Sequence, residues 1–260
     1  FDQYGSDAVR YWAASARPGV DTAFSEDQMK VGRKLATKLL NVSKFVLGQG
    51  AIDGSATPTQ PVDIAMLQRL AQVVTESTES LEDFDYARAL ERTEAFFWWF
   101  CDDYVELVKT RAYGKTDGAG SAVVALRRAL STLQRLFAPL LPFVTEEVWS
   151  WWKPNSIHLG PWPTRDEIVG DVIAVDNGEE LLTTVCEVLS QIRRAKTEAK
   201  TSQRTEVAHA TISATSTQLR LIEASMHDLR NAGGLNEVEL LTHDHAAIAV
   251  QVRLAPTSSV

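Results

Sequence analysis

The sequence predicts a mainly α fold, a helical bundle followed by a small α/β domain. Three observations predict it. Between residues 25 and 157, apolar residues recur at the helical period of about 3.6. At 158–167, HLGPWPTRDE interrupts that pattern with two prolines and a glycine. Beyond it, helical stretches are interleaved with short runs that alternate apolar and polar residues, as half-buried strands do.

Each element can be placed in order. SEDQMKVGRKLATKLLNVSKFVLG predicts a helix over 25–48, opened by Ser25 with Gln28 three residues later and closed by Gly48. GQGAIDGSATPTQP (48–61) reads as a loop. Helices follow over 62–80 and over 85–111, the second with apolar residues at 86, 90, 97, 100, 104 and 107/108. KTDGAGS (115–121) is a turn, then helices run over 121–138 and 142–152, the latter opened by Pro142. Residues 158–177 are a linker between the bundle (25–157) and the α/β domain (178–256). That domain begins with a helix over 178–200. VAHATISAT then reads as a strand, STQLRLIEASMHDLRNAG as one helix, and VELLT and AIAVQVRL as strands.

Composition narrows the function classes. The 260 residues are 45% hydrophobic and carry a net charge of -8, which argues against a protein that coats nucleic acid. Phosphates respond to local charge, however, so a patch can overturn that argument. Cys101 and Cys186 form no CxxC, which fits a reducing cytoplasm. The opening FDQYGSDAVRYW is unlike a signal peptide, and Phe1 reads as a cut inside a longer protein. No apolar run is long enough to span a bilayer. Neither GxxxxGKS nor GxGxxG occurs. His243 and His245 lack a third ligand nearby, so no metal is expected. Cys101 reads as a small core residue, and Asp102, Asp103 and Glu106 as partners of bundle cations. Phe96 to Phe100 cannot all face one side of a helix, so most are expected between neighbouring helices.

One stripe stands out. At 100° per residue, Val31, Leu35, Leu39, Val42 and Val46 share an arc and are the expected core face. Lys30, Lys34, Lys38, Asn41 and Phe45 share the adjacent arc, flanked by Arg33 and Lys44. From Gln28 to Gly50 there are five basic residues and no acidic one. Cations, an amide and a ring on one face suit single-stranded nucleic acid. Solvent cover with Phe45 buried against the next helix is the competing reading, and composition alone favours it. A second basic cluster, Arg193, Arg194, Lys196, Lys200 and Arg204, is either a solvated helix end or a phosphate contact.

Several segments, in order, resemble valyl-tRNA synthetases of class I, subclass a. YGSDAVRYWAAS (4–15) is similar to the segment after the family's KMSKS loop, which makes 1–24 a remnant of the stem-contact region. GVDTAFSEDQMKVGRKLATKLLNVSKFVL resembles the first helix of its anticodon-binding bundle. FFWWFCDDYVELVK (96–109) resembles "FCDxYxELxK". LFAPLLPFVTEEVWSWW (136–152) resembles "LLHPFMPFxTEExW", with Ala138 where His is usual. HLGPWP (158–163) resembles "xxxPWP". The resemblance covers 1–163 well and 178–255 more loosely.

The resemblance implies a helical anticodon-binding domain that recognises tRNA(Val), in a monomeric cytoplasmic enzyme joining valine to tRNA with ATP and Mg²⁺. Its catalytic domain would lie elsewhere in the same polypeptide. This chain has neither a HIGH-type motif nor KMSKS, so it is expected to be inactive alone and to need no cofactor. Lys38, Asn41 and Phe45 match the "KLxNxxxFV" motif, with Phe45 the implied stacking residue. The expected RNA-binding set is Lys30, Arg33, Lys34, Lys38, Asn41, Phe45, Lys109 and Arg111. One departure is acidic: Glu26 and Asp27 occupy the first turn, where relatives can carry a basic residue. Isoleucyl or leucyl synthetases share the bundle and are the alternative within this class. A helical protein-interaction scaffold is the alternative outside it.

Overall fold

The computed structural model describes residues 3–17, 19–50, 56–114 and 118–256. In chain order they form α1 (Ser6–Ala14), α2 (Glu26–Gly48), α3 (Pro61–Glu82) and α4 (Tyr86–Trp99). A π-helical turn (Phe100–Tyr104) runs into α5 (Val105–Tyr113), followed by α6 (Ala119–Phe137) and α7 (Pro142–Ser150). Then come α8 (Arg165–Val169), α9 (Gly178–Glu198), β1 (Val207–Ala214), α10 (Ser216–Ala224), α11 (Met226–Gly233), β2 (Leu235–Thr242) and β3 (Ala249–Leu254). The predicted mainly α class with a small α/β segment after it is observed. Residues 51–55 of the predicted loop and 115–117 of the predicted turn lie outside the described residues. Among the described residues, no helix is long and apolar enough to cross a membrane.

The chain divides into two compact units. The first comprises Phe1–Thr57, Leu67–Trp99 and Val123–Val172, the second Pro58–Met66, Phe100–Ala122 and Ile173–Val260. The division does not fall at one point of the chain. Segments from the helical region, including α5, are grouped with the C-terminal α/β segment.

In the first unit, α2 starts where Ser25 accepts a hydrogen bond from the Gln28 amide, satisfying one orphan donor of the first turn. Its buried residues are Met29, Gly32, Leu35, Leu39, Val42, Ser43 and Val46. Val31, expected in the core, is 37% exposed. The reason is α1, which the sequence reading did not foresee. A Cβ on Gly32 would stand 2.6 Å from the Tyr11 Cβ, so only glycine allows this approach. The buried face is centred on Gly32 and turns Val31 outward. α1 also organises α7, whose N-cap residue Leu141 makes no side-chain cap. The Asp7 carboxylate accepts from the Phe143 and Val144 amides at 3.2 and 2.7 Å instead.

In the second unit, the strand order is β2-β1-β3, with β1 parallel to β2 and antiparallel to β3. Ala210, Ile212 and Ala214 of β1 are buried, the period of two expected of a strand with one covered face. α9 buries Leu181, Leu182, Val185, Val188, Leu189 and Ile192, a helical stripe. Gln191 ties α9 to the sheet, donating to the Ile248 carbonyl and accepting from the Val250 amide, both at 2.9 Å. The single helix expected over STQLRLIEASMHDLRNAG is two, because Ser225 leaves helical geometry at φ -115°, ψ 11°.

At the centre of this unit lies a buried polar cluster. Arg111 of α5 donates to Asp63 of α3 through two nitrogens, at 2.8 and 2.9 Å. It donates to Asp228 of α11 through Nε and Nη2, at 2.8 and 2.9 Å. Tyr104 and Ser121 hydroxyls also donate to Asp63. Such planar pairing of one guanidinium with two carboxylates compensates the desolvation of all three.

Candidate nucleic-acid interface

The outer face of α2 is the place to test the stripe. Lys30, Lys34 and Asn41 are exposed there, while Lys38 and Phe45 are half-buried. Lys30 lies 2.9 Å from Asp27, whose carboxylate holds the ammonium above its ordinary pKa. The Lys34 and Lys38 amines lie over the Trp98 ring, 5.3 and 5.9 Å from its centroid, within cation–π range. The Trp98 indole donates to Glu94 at 3.0 Å, and the other Glu94 oxygen accepts from the Tyr11 hydroxyl at 2.7 Å. Burial, with the Glu94 carboxylate beside it, pushes the Tyr11 hydroxyl's pKa well up.

The far end of the stripe is held by its backbone. Gln49 donates to the Phe45 carbonyl at 2.8 Å. Arg127 of α6 donates to the Gln49 and Gly50 carbonyls at 2.8 and 2.9 Å, putting positive charge where the α2 dipole is negative.

Trp98 is the residue the sequence reading missed. Phe96, Phe97 and Phe100 are buried, as expected for most of that run, but Trp98 is only half-buried. Its spacing from Phe97 shows that it leaves the core face. Nothing in the sequence shows that α4 brings it beneath Lys34 and Lys38.

The rest of the expected set is scattered. Arg33 donates to the Gln3 carbonyl at 3.0 Å and lines a different cleft with Tyr4, Asp7 and Phe143. Lys109, in the second unit, pairs with Glu106, which also takes Arg193 at 3.0 Å.

Arg111 is a correction. It is 3% exposed and its guanidinium is spent on Asp63, Asp228 and the Gly118 carbonyl. Burial alone would lower its pKa, but the hydrogen bonds and charges of the two carboxylates outweigh this and hold it above the ordinary arginine value. A guanidinium so enclosed is a structural group, not a phosphate ligand.

The second basic cluster is largely consumed too. Lys196 is 1% exposed and donates to the Gly233 and Gln203 carbonyls at 2.7 and 3.1 Å. Arg193 donates to the Asp102 carbonyl at 2.7 Å, and Arg194 pairs with Glu198 at 2.8 Å. Lys200 and Arg204 are exposed.

The comparisons with known proteins cover much of the chain, although the family model begins after α2. Residues 63–212 match the family model described as the anticodon-binding domain of tRNA ligase. The chain is 50% identical to the valine–tRNA ligase of Salinispora arenicola, over 93% of this chain and 30% of that protein. It is 49% identical to the one from Thermobifida fusca, over 98% of this chain and 29% of that protein. It thus spans under a third of the length of these curated relatives. A solved LeuRS–tRNA complex from Agrobacterium radiobacter K84 matches 75% of this chain and 27% of its own at 19% identity. Its TM-score, 0.48, is too low to carry an argument. The family match takes in most of α3, everything from α4 to α9 and most of β1, more than half of the chain. On that extent, this chain belongs to the anticodon-binding-domain family of tRNA ligases.

Proposed function

We propose that this chain holds the anticodon loop and stem of tRNA(Val) for a valine–tRNA ligase. The tRNA 3′ end would then reach a catalytic domain elsewhere in the same polypeptide. The observation that carries this reading is the α2 face. Lys30, Lys34, Lys38, Asn41 and Phe45 are gathered on one side of a helix without a carboxylate after Asp27, in a chain of net charge -8. The ammonium groups take phosphates, the Asn41 amide reads a base edge, and the Phe45 ring stacks on an unpaired base. Arg33 and Lys109 are assigned to flanking backbone contacts, and Arg111 is not. That the relatives are valine–tRNA ligases supports the choice of valine over isoleucine or leucine.

In the intact enzyme, a cytoplasmic monomer, ATP and Mg²⁺ supply the activation of valine. The described residues do not fit the metal ion. Among the described residues, no three His, Cys, Asp or Glu side chains are grouped to hold a cation. The role of this chain is binding, by charge and stacking.

The test is a titration of the purified chain with tRNA(Val), tRNA(Ile) and tRNA(Leu) transcripts across a salt series. The expected result is tighter binding of tRNA(Val), weakening steadily as salt rises. Tighter binding of tRNA(Ile) or tRNA(Leu) would reassign the parent enzyme. Absence of salt-sensitive binding to any of them would favour a protein-interaction scaffold.

A further inference from the structure

A cleft of about 400 Å³ opens between α1 and α4 in the first unit, lined by Tyr11, Arg17, Leu90, Glu91, Glu94 and Trp98 among others. None of these residues belongs to the stripe. Trp98 joins the two places, because it lines the cleft while the Lys34 and Lys38 amines of the stripe lie over its ring. Glu94 contributes a half-buried carboxylate whose two oxygens already accept from Tyr11 and Trp98. Each carboxylate oxygen has a second lone pair, so Glu94 can accept again. Arg17 and Glu91 at the rim lie 3.8 Å apart.

These features select among occupants. A phosphate or peptide carboxylate inside the cleft would meet Glu91 and Glu94. A purely aliphatic side chain would desolvate the Glu94 carboxylate without bonding it, which is costly. A nucleotide satisfies every feature. Its base is flat and neutral, which suits an indole wall, and its amine can donate to a carboxylate. Its phosphate stays outside the cleft, where the two lysines are.

We propose that this cleft takes one unpaired RNA base bearing an exocyclic amine, stacked on Trp98. Glu94 accepts from the amine, and Lys34 and Lys38 hold the adjoining phosphates. Cytosine offers a donor at its N4 position, the donor that a glutamate reads in nucleic acids. Uracil presents a carbonyl there, which turns a lone pair toward the carboxylate. The site therefore discriminates amino bases from uracil. The proposal rests on the RNA-binding reading above.

The test titrates the full chain with tRNA(Val) transcript and with short oligo(C) and oligo(U). Wild type should bind oligo(C) more tightly than oligo(U). Trp98→Ala should weaken oligo(C) and tRNA binding roughly 5- to 150-fold, the range of one lost stack. Its salt slope should be unchanged, because no phosphate contact is lost. Trp98→Phe, which keeps a ring, should recover most of the affinity. Glu94→Gln should erase the preference for oligo(C). A thermal melt accompanies each variant, and if Trp98→Ala does not fold, Trp98→Leu replaces it. Equal affinity of wild type for oligo(C) and oligo(U), or undiminished binding by folded Trp98→Ala or Trp98→Leu, overturns the proposal. If wild type binds tRNA(Val) and only the Trp98 and Glu94 variants behave as wild type, this proposal fails while the α2 reading stands. If wild type binds no RNA, both fail.

Discussion

Phe45 sits at the junction of two faces, between exposed Asn41 and buried Val42 and Val46. A fully buried phenylalanine replaced by alanine loses about 3–5 kcal/mol of folding stability through the cavity left behind. Phe45 is half-buried, so Phe45→Ala should cost less than that in a denaturant melt. It should cost about 1–3 kcal/mol of tRNA affinity, the worth of one stacked base. A large stability loss with unchanged affinity would place the ring in the core and end its stacking role. The place of Phe45 at that junction was legible in the sequence because Lys38 and Asn41 precede it at helical spacing. Trp98 was not. Its place beneath two lysines depends on how α4 lies against α2, and no periodicity within either helix encodes that.

At the scale of elements, the long amphipathic helices were legible and their ends nearly so. Ser25, Gly48 and Pro142 carry physical signals for starting or stopping a helix. α1 was not legible, because it is nine residues long and its N-cap, Gly5, makes no side-chain cap. The role of Arg111 was hidden for a related reason. A cation near the end of α5 reads as surface charge until the fold brings Asp63 and Asp228 to it, 48 and 117 residues away in sequence. Breaking a buried pair leaves an uncompensated charge and typically costs 3–5 kcal/mol. Asp228→Ala should therefore destabilise the chain by about 3 kcal/mol in a denaturant melt, the low end of that range because Asp63 remains to Arg111. The tRNA affinity of the folded protein should not change. A loss of affinity without a loss of stability would return Arg111 and its partners to the binding surface.

For the whole molecule, net charge points away from nucleic acid while the local arrangement points toward it. Local charge decides, since the Debye length at physiological salt is about 8 Å and distant carboxylates are screened. The cations that matter are those not already spent inside the protein. Arg111, Lys196 and Arg193 are engaged by internal partners, whereas the Lys34 and Lys38 amines lie over the Trp98 ring on the outer face of α2. Lys30 would exchange its exposed Asp27 partner for phosphate, an exchange of modest cost because surface pairs contribute little. The most direct measurement of this account is the salt dependence of tRNA(Val) binding by the triple variant Lys30→Gln, Lys34→Gln, Lys38→Gln, beside wild type. Each lost single-strand phosphate contact should flatten the slope by about 0.7, or roughly 2 for all three, while the fold survives because the buried face of α2 is untouched. A slope identical to wild type in a folded variant would contradict the claim that this helix face carries the RNA.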